Sequence, residues 1–212
     1  MHNRRDLVNL IADRVVLLLR EADPSWVTIG VSNRHVHLAD ADFRTLFGYP
    51  EPQVRRMARQ TGEFAAQEKV TIHGPAGKLT ARVMGPNRPQ TQVELSKTDC
   101  FALGIQAPLA QSGHLDRAAR VELEGPAGRV TCDHAAIVAG RHIHISPEEA
   151  RRLNVKHQDR VSVLIEGERG ARLDNVLIRV KGSYRQELHL DTDEGNAVSV
   201  RTGDWARICL RP

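Results

Sequence analysis

A chain of 212 residues, 41 % hydrophobic and 26 % charged, has the make-up of a soluble globular protein with room for one large domain or two small ones. Its formal charge of +4 comes from basic residues that stand singly or in pairs, and four Phe, two Trp and two Tyr are too few to interleave with them. That balance argues against nucleic acid and for a small polyanion such as a nucleotide-bearing cofactor. Cys100, Cys132 and Cys209 are widely spaced and form no CxxC pair. They offer neither a disulfide framework nor a thiolate zinc knuckle, and they fit a reducing compartment. The longest apolar run, Val15 to Leu19, is too short to cross a bilayer, and no secretory cleavage pattern follows it.

The segment from Arg4 to Glu21 is predicted to be an amphipathic helix. Leu7, Ile11, Val15 and Leu18 share one stripe, Leu10 and Leu17 flank it, and Pro24 ends it. Beyond it come short β-branched runs, Val27 to Ile29, Val70 to Ile72, Val161 to Ile165 and Val176 to Val180, punctuated by Gly and Pro. That pattern predicts many short strands closing into barrels or sandwiches. Two echoes point to an internal duplication. The run Val31 to Leu38 (VSNRHVHL) is matched by Arg141 to Ile145 (RHIHI), and Val70 to Gly77 (VTIHGPAG) by Val121 to Gly128 (VELEGPAG). The order of the two elements differs between the halves, which reads as two related β units with rearranged connectivity. Each His-x-His run leads directly into a short helix. Asp40 is the N-cap candidate of the first, and Ser146, Pro147 and Glu149 provide N-cap, N1 and N3 of the second.

Residues i and i+2 of a strand share a face about 7 Å apart, so His35/His37 and His142/His144 are two potential half-sites for metal. An imidazole approaches zinc to about 2 Å, and further donors are needed to complete a sphere. Glu94, in Thr91 to Ser96 with Gln92 on its face, and His189, with Asp191 on its face, are the strongest candidates. A single His-x-His is more often a hydrogen-bonded surface pair, and it is the repetition that favours metal. His2, His73, His114, His134 and His157 lack such partners and are expected to be solvated or structural. Arg88, in the loop Gly85 to Pro89, is either an exposed loop arginine or a guanidinium fork for a phosphate. The chain has no GxxxxGK[ST] or GxGxxG loop, no serine elbow, and no base paired with a cysteine. Metal-ion chemistry is therefore the best-supported catalytic reading.

Taken together, VSNRHVHL (31–38), GPNR (85–88), TQVELSKTD (91–99), RHIH (141–144) and HLDTDEGNA (189–197) resemble the PduL-type phosphotransacylases (phosphate propanoyltransferases), in order and with the family's spacing from about Val27 to Leu210. Gly140 and Gly195 stand where alanine is usual, and His134 lies in a segment ordinarily without histidine. The resemblance implies a mainly β fold of two related β-barrels with short capping helices and the amphipathic N-terminal helix. The expected division is 1–24 for that helix, 25–118 for the first barrel unit and 119–212 for the second, with the chain free to cross between barrels.

It further implies two Zn2+ ions per chain, one held by His35, His37 and Glu94 and the other by His142, His144 and His189. Arg88 would bind phosphate, and Ser32, Arg82 and Asn196 would contact coenzyme A, which is a substrate. The expected reaction is reversible transfer of a propanoyl or acetyl group between coenzyme A and inorganic phosphate, in the bacterial cytoplasm or inside a microcompartment. Acyl-CoA and phosphate are the expected partners, with no nucleic acid and no membrane, and with homo-oligomerisation allowed. Residues 4–21 are expected either to dock on microcompartment shell or cargo proteins or to pack on the barrels. A metal-dependent thioester hydrolase and a zinc-stabilised microcompartment scaffold are the alternatives.

Overall fold

A computed structural model describes residues 4–210. In chain order the elements are α1 (Arg4–Ala22), β1 (Trp26–Ser32), β2 (His35–His37), α2 (Asp40–Phe47), β3 (Val54–Met57), β4 (Phe64–His73), β5 (Lys78–Gly85), β6 (Gln92–Leu95) and α3 (Lys97–Leu103). There follow β7 (Leu109–Ala110), β8 (Ala119–Glu124), β9 (Arg129–Ala139), β10 (His142–Ile145), α4 (Pro147–Leu153), β11 (Arg160–Ile165), β12 (Ala171–Val180), β13 (Glu187–Asp191), α5 (Thr192–Ala197) and β14 (Trp205–Cys209). The strands close two barrels, as expected, each of six strands. One is the ring β4–β5–β2–β6–β9–β8, with β3 and β7 added outside it, and the other is the ring β1–β13–β10–β12–β11–β14. Strand alternation fills each barrel with aliphatic side chains. Val36, Leu38, Ile72, Val83, Val93 and Leu123 lie in the first, and Ile29, Ile143, Ile145, Val163, Ile178 and Leu188 in the second.

The pairing shows that the repeated unit is a quarter of the fold rather than a half. It consists of a strand, a short helix and a hairpin whose last strand returns parallel to the first. The four copies are β2–α2–β4–β5, β6–α3–β8–β9, β10–α4–β11–β12, and β13–α5–β14 completed by β1. Within each barrel the two leading strands pair antiparallel, β2 with β6 and β10 with β13. This corrects the reading of rearranged connectivity. The His-x-His echo relates the first and third copies, whereas the Gly-Pro-Ala-Gly echo relates the hairpin turns of the first and second, which lie side by side in one barrel.

Those turns hold helix ends. Ala76 N donates to Leu103 O at the end of α3 (3.0 Å), and Ala127 N donates to Leu46 O in α2 (2.9 Å). A Cβ on Gly74 or Gly125 would lie 2.3 Å from those same carbonyl oxygens, so glycine is required by close approach. Gly125→Ala must push α2 off the turn and is expected to cost about 1–3 kcal/mol, read as a lowered denaturant midpoint. A midpoint equal to that of the wild type would show that α2 does not dock there.

The boundary expected near residue 118 falls inside the first barrel, because Val121 and Leu123 of β8 are buried in its core. By hydrogen bonding, the first barrel is residues 35–139, and the second is residues 142–209 together with β1. Ser146 caps α4 in a full capping box, as read. Asp40, by contrast, is the first residue of α2, whose N-cap is Ala39 with no side-chain cap. Of the two alternatives for α1, the structure shows little packing on the barrels. Eight of its Leu, Ile and Val side chains between Leu7 and Leu19 are 47–65 % exposed, and the helix touches the body near its end. There Arg20 stacks on Trp26 at 4.5 Å and Arg152 donates to Ala22 O. Among the described residues no helix is long and apolar enough to cross a membrane.

Candidate active site

On β2, alternation sends Val36 into the barrel core and turns His35 and His37 the other way, toward a cavity of about 930 Å3 lined by both barrels. The antiparallel partner β6 places Glu94 opposite His35 and Gln92 opposite His37. Glu94 Oε2 is 3.5 Å from His35 Nε2, and Glu94 Oε1 is 3.9 Å from His37 Nε2. The second barrel repeats the arrangement, with His189 of β13 opposite His142 and Glu187 opposite His144. The three ring centroids are 4.6–4.8 Å apart. In each triad the donor atoms lie within 4.8 Å of one another, so the structure assembles both predicted sets, His35/His37/Glu94 and His142/His144/His189.

The residues fit metal ions. Both nitrogens of His144 and Nδ1 of His37 are buried without a hydrogen-bond partner, a cost of about 1–3 kcal/mol each for which an ion compensates, and the buried Nε2 of His189 lies 3.2 Å from Glu187 Oε2. His35 Nδ1 and His142 Nδ1 lie 2.9 Å from the carbonyl oxygens of Asn33 and Gly140, which directs each Nε2 outward. Burial, reinforced by the charge of His189, depresses His142 to about 3. Burial likewise pushes His37 and His144 far down. At Glu94 burial acts upward, but His35, His37, His142 and Arg88 outweigh it and hold the carboxyl at about 2. At neutral pH the buried imidazoles are neutral and Glu94 is anionic, the forms that bind metal.

These shifts have a consequence for the metal-free protein. A depressed imidazole leaves the unfolded chain binding more protons below about pH 6.5, so stability must fall on acidification. The His142 contribution is present above that value and is lost progressively as pH falls toward about 3. Denaturant midpoints of the chelated protein are expected to be lower at pH 5 than at pH 7. Equal midpoints would show that these imidazoles are already charged or solvated.

The arginine of each Arg-His-x-His run is a brace. Arg34 Nη2 is 2.7 Å from Asp99 Oδ1, and Arg141 Nε is 2.7 Å from Glu194 Oε1. Both carboxylates are the N3 residues of capping boxes, in α3 and α5, which start directly after the strands carrying Glu94 and His189. Each arginine thereby couples the two strands that carry the donors of its own cluster.

Arg88 sits in the β5–β6 loop, tied down by its own N–H to Leu38 O (2.8 Å) and by Asn87 Nδ2 to Asp40 Oδ1. Its guanidinium enters the cavity, donates to Ser112 Oγ at 3.2 Å and lies 3.5 Å from Glu63 Oε1. Ser112 also accepts from Gln92 Nε2 (2.8 Å), and Gln92 donates in turn to Glu94 Oε1 (2.5 Å). Ser32 and Arg82 line the cavity, with Arg82 Nη1 donating to Ala66 O at 2.7 Å. Asn196, exposed on α5, is not among the lining residues. Sequence reasoning missed Ser112, which no motif marks, and Tyr184, whose ring stacks on His144 at 4.0 Å. Among the lining residues Lys and Arg outnumber carboxylates eight to four, a field suited to a polyanion.

Residues 28–201 match the family described as Phosphate propanoyltransferase. A phosphate propanoyltransferase of Rhodopseudomonas palustris is 49 % identical over 191 residues, covering 89 % of this chain and 84 % of the relative. Proteins of the same name from Rhodobacter capsulatus and Thermotoga maritima are 44 % and 45 % identical, over 96 % and 92 % of this chain and 95 % and 94 % of their own lengths.

Proposed function

The chain belongs to the phosphate propanoyltransferase family, and on that premise we propose that it is a phosphate acyltransferase moving a short acyl group, propanoyl or acetyl, reversibly between coenzyme A and inorganic phosphate. The observation that carries this reading is the convergence of two three-donor clusters and one arginine on a single cationic cavity. In the acyl-phosphate-forming direction a phosphate oxygen attacks the thioester carbonyl carbon, the C–S bond breaks, and the sulfur leaves as thiolate. Arg88 holds the phosphate with its planar fork, and Ser112 offers a hydroxyl beside it. Glu63, 3.5 Å from Arg88, must yield part of that guanidinium when phosphate arrives. Ser32, Arg82 and the other cavity arginines are suited to the phosphates of coenzyme A; Asn196, outside the lining, is left out of this assignment.

His35, His37 and Glu94 would hold one zinc ion and His142, His144 and His189 a second. Bound there, zinc supplies Lewis-acid polarisation of the carbonyl and a soft acceptor for sulfur. The exposed apolar stripe of α1 favours docking on another protein, such as a microcompartment shell or cargo component, within a bacterial cytoplasm. The test is thiol release from acetyl-CoA and propanoyl-CoA with and without phosphate, before and after chelation. Release that requires both phosphate and metal is expected. Release without phosphate would make the protein a thioester hydrolase, and no release under any metal loading would leave a scaffold.

A further inference from the structure

The four leading strands each present two side chains on the ligand face: His35 and His37 on β2, Glu94 and Gln92 on β6, His142 and His144 on β10, His189 and Glu187 on β13. Six of these eight form the two triads. The seventh, Gln92, supports its neighbour by donating to the Glu94 carboxylate. The eighth, Glu187, has the equivalent place beside His189 with the polarity reversed, its Oε2 lying 3.2 Å from His189 Nε2. A carboxylate ligand is steadied by a donor, and an imidazole ligand by an acceptor. The fold supplies each in the matching position.

The place of Glu187 is built for a carboxylate. The residue is only 6 % exposed, and Gln60, 4 % exposed, reaches it from the β3–β4 hairpin of the other barrel and donates Nε2 to Glu187 Oε2 at 3.0 Å. The orientation of that amide is set by Arg185, whose N–H donates to Gln60 Oε1 and whose carbonyl accepts from Gln60 Nε2. On β1, Gly30 pairs with His189, and a Cβ there would come 3.1 Å from Cδ and Oε1 of Glu187, so the glycine leaves the carboxylate its room. Glu187 is not itself a member of the set of mutually close donor atoms, which places it behind His189 rather than on the ion.

We propose that Glu187 is a positioning residue of the second half-site: held by Gln60, it accepts the Nε2 proton of His189 and leaves Nδ1 as the nitrogen free to bind an ion. The assignment rests on the reading of His142, His144 and His189 as a metal site. It is tested by titrating metal-free protein with zinc against a chromophoric chelator that resolves two affinities. Glu187→Gln is expected to weaken one of the two ions about 10- to 100-fold and to leave the other unchanged. Gln60→Ala, which touches no donor, is expected to weaken the same ion by less, and it carries the test if Glu187→Gln does not fold. Long-range 15N–1H NMR of the wild type is expected to place the His189 proton on Nε2. Wild-type affinities in Glu187→Gln and in Gln60→Ala, or a His189 protonated on Nδ1, would overturn the proposal. A wild type that binds no second ion would overturn the metal reading beneath it instead.

Discussion

His144→Ala is expected to lower turnover about 1000-fold and to reduce bound zinc from two ions to one per chain, while the metal-free variant remains at least as stable as metal-free wild type. The three parts follow from one fact: neither ring nitrogen of His144 has a hydrogen-bond partner in the protein. Without an ion the imidazole is a buried polar group with nothing to satisfy it, so its removal relieves a penalty, offset in part by the lost stacking on Tyr184. With an ion the same removal strips a ligand and the several kcal/mol of charge stabilisation that depend on it. Metal analysis, steady-state rates and denaturant midpoints with and without chelator check the three. A metal-free variant clearly less stable than its parent would show that His144 serves the core rather than the site.

Arg88→Ala is expected to lower kcat/KM for phosphate by about 10- to 150-fold, the worth of a charge-assisted hydrogen bond at roughly 1.5–3 kcal/mol, with the KM for acyl-CoA unchanged. Arg88→Lys is expected to recover part of the loss, since a point charge replaces a planar fork. The loop that carries Arg88 is anchored through backbone and Asn87, so neither substitution should disturb its course. Initial rates at varied phosphate decide the matter. An unchanged phosphate dependence would remove Arg88 from the anion site and shift the assignment to the other cavity cations.

How much of this could be read in the sequence depended on whether the signal was local. The strands announce themselves as β-branched runs, the Ser146 cap as Ser-Pro-Glu-Glu, and the half-sites as His-x-His, because each is a matter of residues a few positions apart. Glu94 and His189, the third donors of the two clusters, were legible only as polar residues on one face of alternating strands. Ser112 left no trace, since a lone serine in a loop becomes significant only when a distant arginine and glutamine turn toward it. The fourfold repeat was seen as twofold for a related reason. Its helices and pairing recur, but the Gly-Pro-Ala-Gly turn appears only where a helix end presses on the hairpin, in the first barrel. The solvent-facing α1 illustrates the opposite limit: an apolar stripe declares that a face seeks a partner without saying whether the partner is the same chain.

The placement of β1 also bears on how the molecule is made. The second barrel takes its closing strand from residues 26–32, which pair in parallel with residues 188–191 near the other end of the chain. A ribosome delivers this strand first and its neighbours last, so while the first barrel can close once residue 139 has emerged, β1 waits through nearly the whole of synthesis with its edges unpaired. His189 and Gly30 meet only at the end of that interval. The cluster of His142, His144 and His189 is therefore assembled later than that of His35, His37 and Glu94, whose donors all lie within the first barrel.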